Sequence, residues 1–157
     1  ANFGIVSGKA DFIRLKKGGG GLNVRGMNTK NYIPPQGSAL HFTVDVTDAY
    51  VVIHLAESSI EFFNTAAVLG FLEKVLSDLG NPTTALDMAN VTAMDSSGIG
   101  MLITLHKRLR ETNHHLLLVS VTESVVRIFK LTSMSAFLKT FPSMTDIDRF
   151  VAGNQGI

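Results

Sequence analysis

Phe42, Val44 and Val46 alternate with polar residues, the two-residue period of a strand with one wet face. Thr47-Asp48-Ala49 reads as a turn and Tyr50 to Leu55 as the returning strand, so the regular pattern opens on an N-terminal β-hairpin. The period then lengthens. Ala67, Phe71, Leu72, Val75, Leu76 and Leu79 predict a helix over 64–79 with those side chains inward, stopped by Gly80-Asn81-Pro82. A buried strand, Thr84 to Met88, precedes a second helix from Ile99 to Glu111, with Ile99, Leu102, Leu105 and Leu109 on its apolar stripe. His114 to Val121 is too apolar for an edge strand facing water. Thr122 to Leu131 follows as a helix that Ser120 or Thr122 would cap. Leu138 to Phe141 predicts a short last strand, and Ser143 to Val151 a closing helix with Ser143 capping and Asp146 in the first turn. Phe129, Phe137 and Phe141 are also assigned inward. Strand and helix alternating after a hairpin imply an α/β fold: a mostly parallel sheet with packed helices.

The chemistry concentrates at one junction, Asp95-Ser96-Ser97-Gly98-Ile99-Gly100, between the Thr84 to Met88 strand and the following helix. A helix N-terminus leaves backbone N–H groups unpaired and carries partial positive charge, so a phosphate attached there is electrostatically favoured. The simpler role is a cap, supplied by Asp95 or Ser96. Gly98 and Gly100 are small enough to let backbone or a partner approach the serine loop closely. In open α/β sheets, functional loops lie beyond the strand C-termini, where Ser96 falls.

From Leu86 to Phe141 the chain resembles the STAS family, most closely its anti-sigma factor antagonists. The resemblance rests on Leu86-Asp87-Met88-Ala89-Asn90-Val91, on Met94 through Leu102, on Leu117-Leu118-Val119, and on Val125 through Thr132. A weaker match runs upstream to Phe42. It implies the STAS fold, with Ser96 phosphorylated by an anti-sigma factor serine kinase, Ser97 as secondary acceptor, and a PP2C-type phosphatase to reset the switch. It also implies a partner surface at Asp95, Ser96, Ser97, Gly98 and Ile99, continuing along the helix at Met101, Thr104 and Arg108, which are expected to be exposed. The protein would bind the kinase and catalyse nothing itself. These antagonists usually carry an aspartate after the second strand, near the phosphorylation site. The corresponding stretch here, Ala56 to Ala66, has none, leaving Glu57 or Glu61 as the alternative substitutes with no spacing to choose between them, and its Phe62-Phe63-Asn64 is similar instead to STAS domains attached to anion transporters.

Length and composition fit this reading. The 157 residues suffice for one domain with a sizeable core, 45% are hydrophobic, and the absence of cysteine removes disulfides and thiolate metal sites. The longest apolar runs are far too short to span a bilayer, and the start of the chain lacks the pattern of a signal peptide, so a cytoplasmic protein is expected. The net charge of +1 is unevenly distributed: residues 1–39 hold six basic residues against Asp11 alone, the remainder eight against twelve acidic. That arm also holds eight of the fourteen glycines, including Gly18 to Gly21, a flexible joint without the Gly-Lys-Ser/Thr ending of a phosphate loop. Residues 1–39 are therefore expected to be a flexible basic arm and 40–157 the STAS domain. Met27 would make an ordinary protein start, which leaves 1–26 open to a reading as an appended peptide. The arm lacks the interleaved aromatics that would stack on bases, so direct nucleic-acid binding is not expected.

Other chemistries find less support. His114-His115 would point to opposite faces of a strand, and His106 has no acidic residue four positions away, so no metal site and no cofactor are predicted. A serine hydrolase needs a base beside its nucleophile, and neither His54 nor His106 is placed next to Ser96 by sequence; the Gly-x-Ser-x-Gly elbow is missing too.

Overall fold

The computed structural model describes residues 3–6, 13–16, 30–32, 42–47 and 49–154, with side chains over 43–47 and 49–153. The expected hairpin forms from β4 (Phe42–Val46) and β5 (Val51–Leu55), paired antiparallel from Phe42 opposite Leu55 to Val46 opposite Val51. Thr47 closes it: its hydroxyl donates to the Tyr50 carbonyl at 2.7 Å and accepts the Ala49 and Tyr50 amides, which supplies the turn with partners that water would otherwise provide. Helix α1 (Thr65–Asp78) leads to β7 (Thr84–Asp87), α2 (Ser96–Arg110) to β9 (Leu116–Val119), and α3 (Glu123–Leu131) to β10 (Lys139–Phe141). The final helix is α4 (Met144–Asn154). β5, β7, β9 and β10 are parallel neighbours, so the main sheet runs β10-β9-β7-β5-β4-β3, with β3 (Lys30–Tyr32) antiparallel to β4 at the edge.

β3 lies upstream of residue 40, within the stretch read as an arm. A separate hairpin pairs β1 (Phe3–Val6) with β2 (Ile13–Lys16). The rest of the arm, including the Gly18 to Gly21 joint, lies outside the described residues.

Alternation along the strands divides the core into two. Val44, Ile53, Leu86 and Leu118 face α1, α2 and α3, whose buried residues include Leu72, Leu76, Leu102, Leu105, Val125 and Phe129. Val52, Ala85, Leu117 and Val119 face the other way, beneath Ile147 and Val151 of α4. Both faces of β9 are thus covered, which is why it reads as an unbroken apolar run. Burying a Leu or Phe contributes about 1.5–3 kcal/mol each, so these two layers dominate stability. Tyr50 ties α4 down as well, its buried hydroxyl donating to Asp148 at 2.5 Å; burial and that carboxylate push its pKa well above the ordinary value. The Ser143 hydroxyl meets the Asp146 carboxylate at 2.6 Å across the first turn of α4.

Several expectations are corrected. Helix α2 begins at Ser96, three residues before Ile99. Ala67 is exposed, because the inward face of α1 runs through Val68, Phe71, Leu72, Val75 and Leu76. Phe137 is 61% exposed, since the chain leaves α3 through a left-handed Ser133 and a single 3-10 turn that throws the ring outward. The strand expected from His114 begins only at Leu116; Asn113 has a φ of 60° and the two histidines lie in the connection, so strand alternation does not apply to them. Thr122 occupies the N-cap position of α3, yet its hydroxyl donates to the Val91 carbonyl at 2.6 Å instead of capping. The stop after α1 is as read: Gly80 and Asn81 adopt φ values of 82° and 52°. Among the described residues no helix is long and apolar enough to cross a membrane.

Where α4 does not reach, the second face of the sheet carries a charge cluster. His54 lies between two carboxylates from the neighbouring strands, Nδ1 donating to Asp87 at 2.7 Å and Nε2 to Asp45 at 2.9 Å. Hydrogen bonds to Asp45 and Asp87 raise the pKa of His54 to about 9 against the opposing effect of burial, and the Asp87 carboxyl is held below its usual range by His54. Among the described residues no group of three or more His, Cys, Asp or Glu side chains is arranged to hold a metal ion. The folded-state pKa of His54 lies above its unfolded value. Its stabilising contribution is therefore complete below about pH 6.5 and lost as pH rises through about 9. His54 itself is a third exposed, so the effect is on the order of 1 kcal/mol. Melting curves should show wild type falling relative to His54→Gln between pH 7 and 10, and a difference independent of pH would contradict this assignment.

Candidate functional site

The serine motif is held by a second, smaller pairing that carries no periodic signal in the sequence. β6 (Ser59–Ile60) runs parallel to β8 (Ala93–Met94), with Ser59 opposite Ala93 and Ile60 opposite Met94. The Thr92 amide donates to the Ser58 carbonyl at 2.8 Å, extending the contact on one side. The two connections beyond the C-terminal ends of β5 and β7 are thereby joined at the rim of the sheet.

Gly98 fixes how closely they approach. A Cβ at that position would stand 2.5 Å from the Ile60 carbonyl oxygen and 2.6 Å from Met94 Cγ, so the first turn of α2 rests on β6 only because the side chain is absent. Gly100 differs: nothing lies within 4 Å of its added Cβ, and it faces outward. The expected need for small size thus holds at Gly98 and has no counterpart within the chain at Gly100.

Asp95 is the N-cap. Its Oδ1 accepts the Ser97 amide at 2.9 Å and the Gly98 amide at 3.1 Å, satisfying two of the unpaired donors of α2. Its Oδ2 accepts the Phe62 amide at 2.9 Å from the opposite loop. The Phe62 amide, with those of Gly98 and Ser97, holds the Asp95 carboxyl below the usual carboxylate range, so the cap is ionised at neutral pH. Of the two candidate caps, Asp95 does the capping, and Ser96 stands exposed in the first position of the helix. Ser97 beside it is half-buried.

The remaining site candidates separate by burial. Ser96, Gly100, Thr104 and Lys107 form one exposed stripe along α2. Ile99 belongs to the core, as its spacing required, and its burial corrects its assignment to the partner surface. Met101 is only 2% exposed, correcting its assignment to the partner face: it lies four residues before Leu105 on the apolar side, and the core-facing stripe is wider than the leucine spacing alone indicated. Arg108 is half-buried and engaged, donating to Glu73 at 3.1 Å and Asn81 at 2.8 Å, which joins α2 to the end of α1. Thr104 is exposed, its hydroxyl donating to the Gly100 carbonyl.

The loop that meets Asp95 is the stretch the resemblance placed near the phosphorylation site, but the role of Asn64 in building it was not read from the sequence. Asn64 organises it: Oδ1 accepts the Glu61 amide at 2.9 Å and Nδ2 donates to the Ser59 carbonyl at 2.8 Å, while the Asn64 and Thr65 amides return to the Glu61 carbonyl. The available signal was Asn64 immediately before a helical period, a residue type that favours such turns. Phe62 and Phe63 project from this turn, 78% and 63% exposed.

A family model described as the STAS domain matches residues 41–147. The anti-sigma-B factor antagonist of Staphylococcus epidermidis is 32% identical over 66 residues, 40% of this chain and 61% of that protein, so the chain spans about three fifths of this curated relative's length. Among solved structures, the anti-sigma factor antagonist SpoIIAA in its unphosphorylated form aligns at a TM-score of 0.56 and 19% identity, covering 74% of this chain and 97% of that one. The Bacillus SpoIIAA in its phosphorylated form aligns at 0.53 and 18%, covering 69% and 98%. The murine anion transporter Slc26a9 aligns at 0.55 and 18%, with 82% of this chain matching 22% of the transporter. At these identities the structural likenesses show a shared fold.

The two glycines allow a paired test of the geometry. Gly98→Ala should destabilise by about 2 kcal/mol, because the added methyl meets the Ile60 carbonyl and strain must be taken up by backbone. Gly100→Ala should instead stabilise by about 0.5–1 kcal/mol, since it adds helix propensity in open space. Urea denaturation of both variants measures the difference, and equal effects would refute the close approach of α2 to β6.

Proposed function

The chain belongs to the STAS domain family, and we propose that within it the protein is an anti-sigma factor antagonist. Unphosphorylated, it captures an anti-sigma factor kinase through the Ser96 loop and the exposed stripe of α2, and phosphorylation of Ser96 releases it. The observation that carries this reading is the division of labour at the helix start. Asp95 caps, leaving the Ser96 hydroxyl exposed at a position where the electrostatic field of the helix favours a phosphate. A serine needed for capping would be an unsuitable acceptor, because modification would remove the cap.

Release follows from charge. Phosphoserine carries about −1.5 to −2 charges at neutral pH and would stand beside the ionised Asp95. A partner surface complementary to a neutral hydroxyl must then accommodate a hydrated dianion next to a carboxylate, at a desolvation and like-charge cost of several kcal/mol. Affinity would be restored by a phosphatase of the PP2C type. The curated anti-sigma-B factor antagonist supports this branch of the family.

A second reading has one specific observation in its favour. Phe62-Phe63-Asn64 in place of the expected aspartate, together with the fold shared with Slc26a9, suits a STAS interaction module of a transport or other signalling assembly without a phospho-switch. The two readings separate on Ser96. Under the antagonist reading, Ser96→Ala retains tight binding to the kinase and Ser96→Asp binds at least tenfold more weakly, a difference of ~1.4 kcal/mol or more. Titration calorimetry with the purified kinase measures both, and equal affinities would favour the second reading.

A further inference from the structure

We propose that Phe62 and Phe63 form the apolar anchor that holds the protein partner engaged at Ser96, and that this partner presents a hydrophobic pocket beside the surface meeting the serine. The proposal rests on the antagonist reading above and adds to it the character of the contact.

Large apolar side chains exposed on a well-ordered segment call for a role. The two rings meet edge to face, with centroids 6.0 Å apart. They stand on a turn whose backbone is committed at Glu61, Phe62, Asn64 and Thr65, and whose Asn64 side chain bonds on both sides. Docking such a turn orders little that is not already ordered, so most of the contact energy of two aromatic rings remains available for binding. Exposed Phe137 has no comparable tie to the serine motif: it follows a 3-10 turn after α3.

The second argument is continuity with Ser96. The Phe62 amide is bound by the same carboxylate that caps the helix on which Ser96 stands, and β6 leads directly into the aromatic turn while β8 leads into Asp95. The backbone segments that carry the rings and the hydroxyl are therefore joined, so that one partner would cover both.

Charge points the same way. The loops 56–66 and 89–98 carry Glu57, Glu61 and Asp95 and no Lys or Arg, so these two loops supply no cation to hold a phosphate near the rings. A phosphate on Ser96 would bring charge and bound water to the margin of an apolar contact, which gives the switch its leverage. The expected contact is thus hydrophobic where an aspartate in this loop would have made it ionic.

The test uses the full chain in extract of its own cells with ATP, reading the initial rate of phosphate incorporation at Ser96 by peptide mass. In Phe62→Ser/Phe63→Ser the backbone amide that Asp95 accepts is kept and only exposed rings are lost, so the melting temperature should stay near that of wild type. The rate at limiting protein should fall at least about tenfold. Phe137→Ser should label like wild type. Raising salt from about 0.05 to about 0.5 M should change the wild-type rate less than threefold, because apolar contacts are not screened. Equal rates for wild type and the double variant would overturn the anchor while leaving the Ser96 switch intact. So would an equal loss in Phe137→Ser or a steep fall with salt. Absence of phosphate at Ser96 in wild type would overturn both the switch and the anchor.

Discussion

The carboxylate of Asp95 is the point on which the architecture of the site depends. One oxygen satisfies two backbone donors at the start of α2, and the other reaches across to the Phe62 amide. A cap usually serves its own helix; this one also joins two connections separated by more than thirty residues of sequence. Gly98 makes the joint possible by letting the helix settle against the Ile60 carbonyl. The exposed features at this rim, Ser96, Phe62 and Phe63, stand on backbone that these two residues hold in place.

The rest of the molecule supplies rigidity to that rim. Three helices on one face and α4 on the other bury most of β5, β7 and β9, so the strand ends that feed the site are set by close packing rather than by the loops themselves. The uncovered corner of the second face is closed by Asp45, His54 and Asp87, which link three adjacent strands through one imidazolium. Arg108 performs a similar task between α1 and α2. The proposed function, exposure of a hydroxyl, calls for this kind of support: a site that only presents a surface gains affinity from being held still.

Much of this was legible in the sequence, and the failures have identifiable causes. The hairpin, four helices and parallel strands follow from periods of two and 3.6 with glycine and proline stops, and the serine motif supplied the candidate site. Met101 was misplaced because a leucine stripe understates the width of a buried helix face. Phe137 was misplaced because a single 3-10 turn breaks the period on which its inward assignment relied. Two-residue strands such as β6 and β8 have no period at all, so the joint between the aromatic turn and Asp95 could not be read from pattern. The Asp45, His54 and Asp87 cluster required the strand register, in which His54 lies directly opposite Asp87, and not merely the existence of the strands. Ser96 itself was identified by type and position, but its release from capping by Asp95 is a fact of geometry.

The central claim is that Ser96 is a phosphoacceptor and not a structural cap. Intact mass of the protein purified from its own cells, followed by peptide mapping, tests this most directly. The account predicts a population carrying one phosphate, about 80 Da heavier, localised to Ser96 and removed by a phosphatase. A single unmodified mass under every growth condition, or phosphate mapping elsewhere while Ser96 stays free, would contradict it.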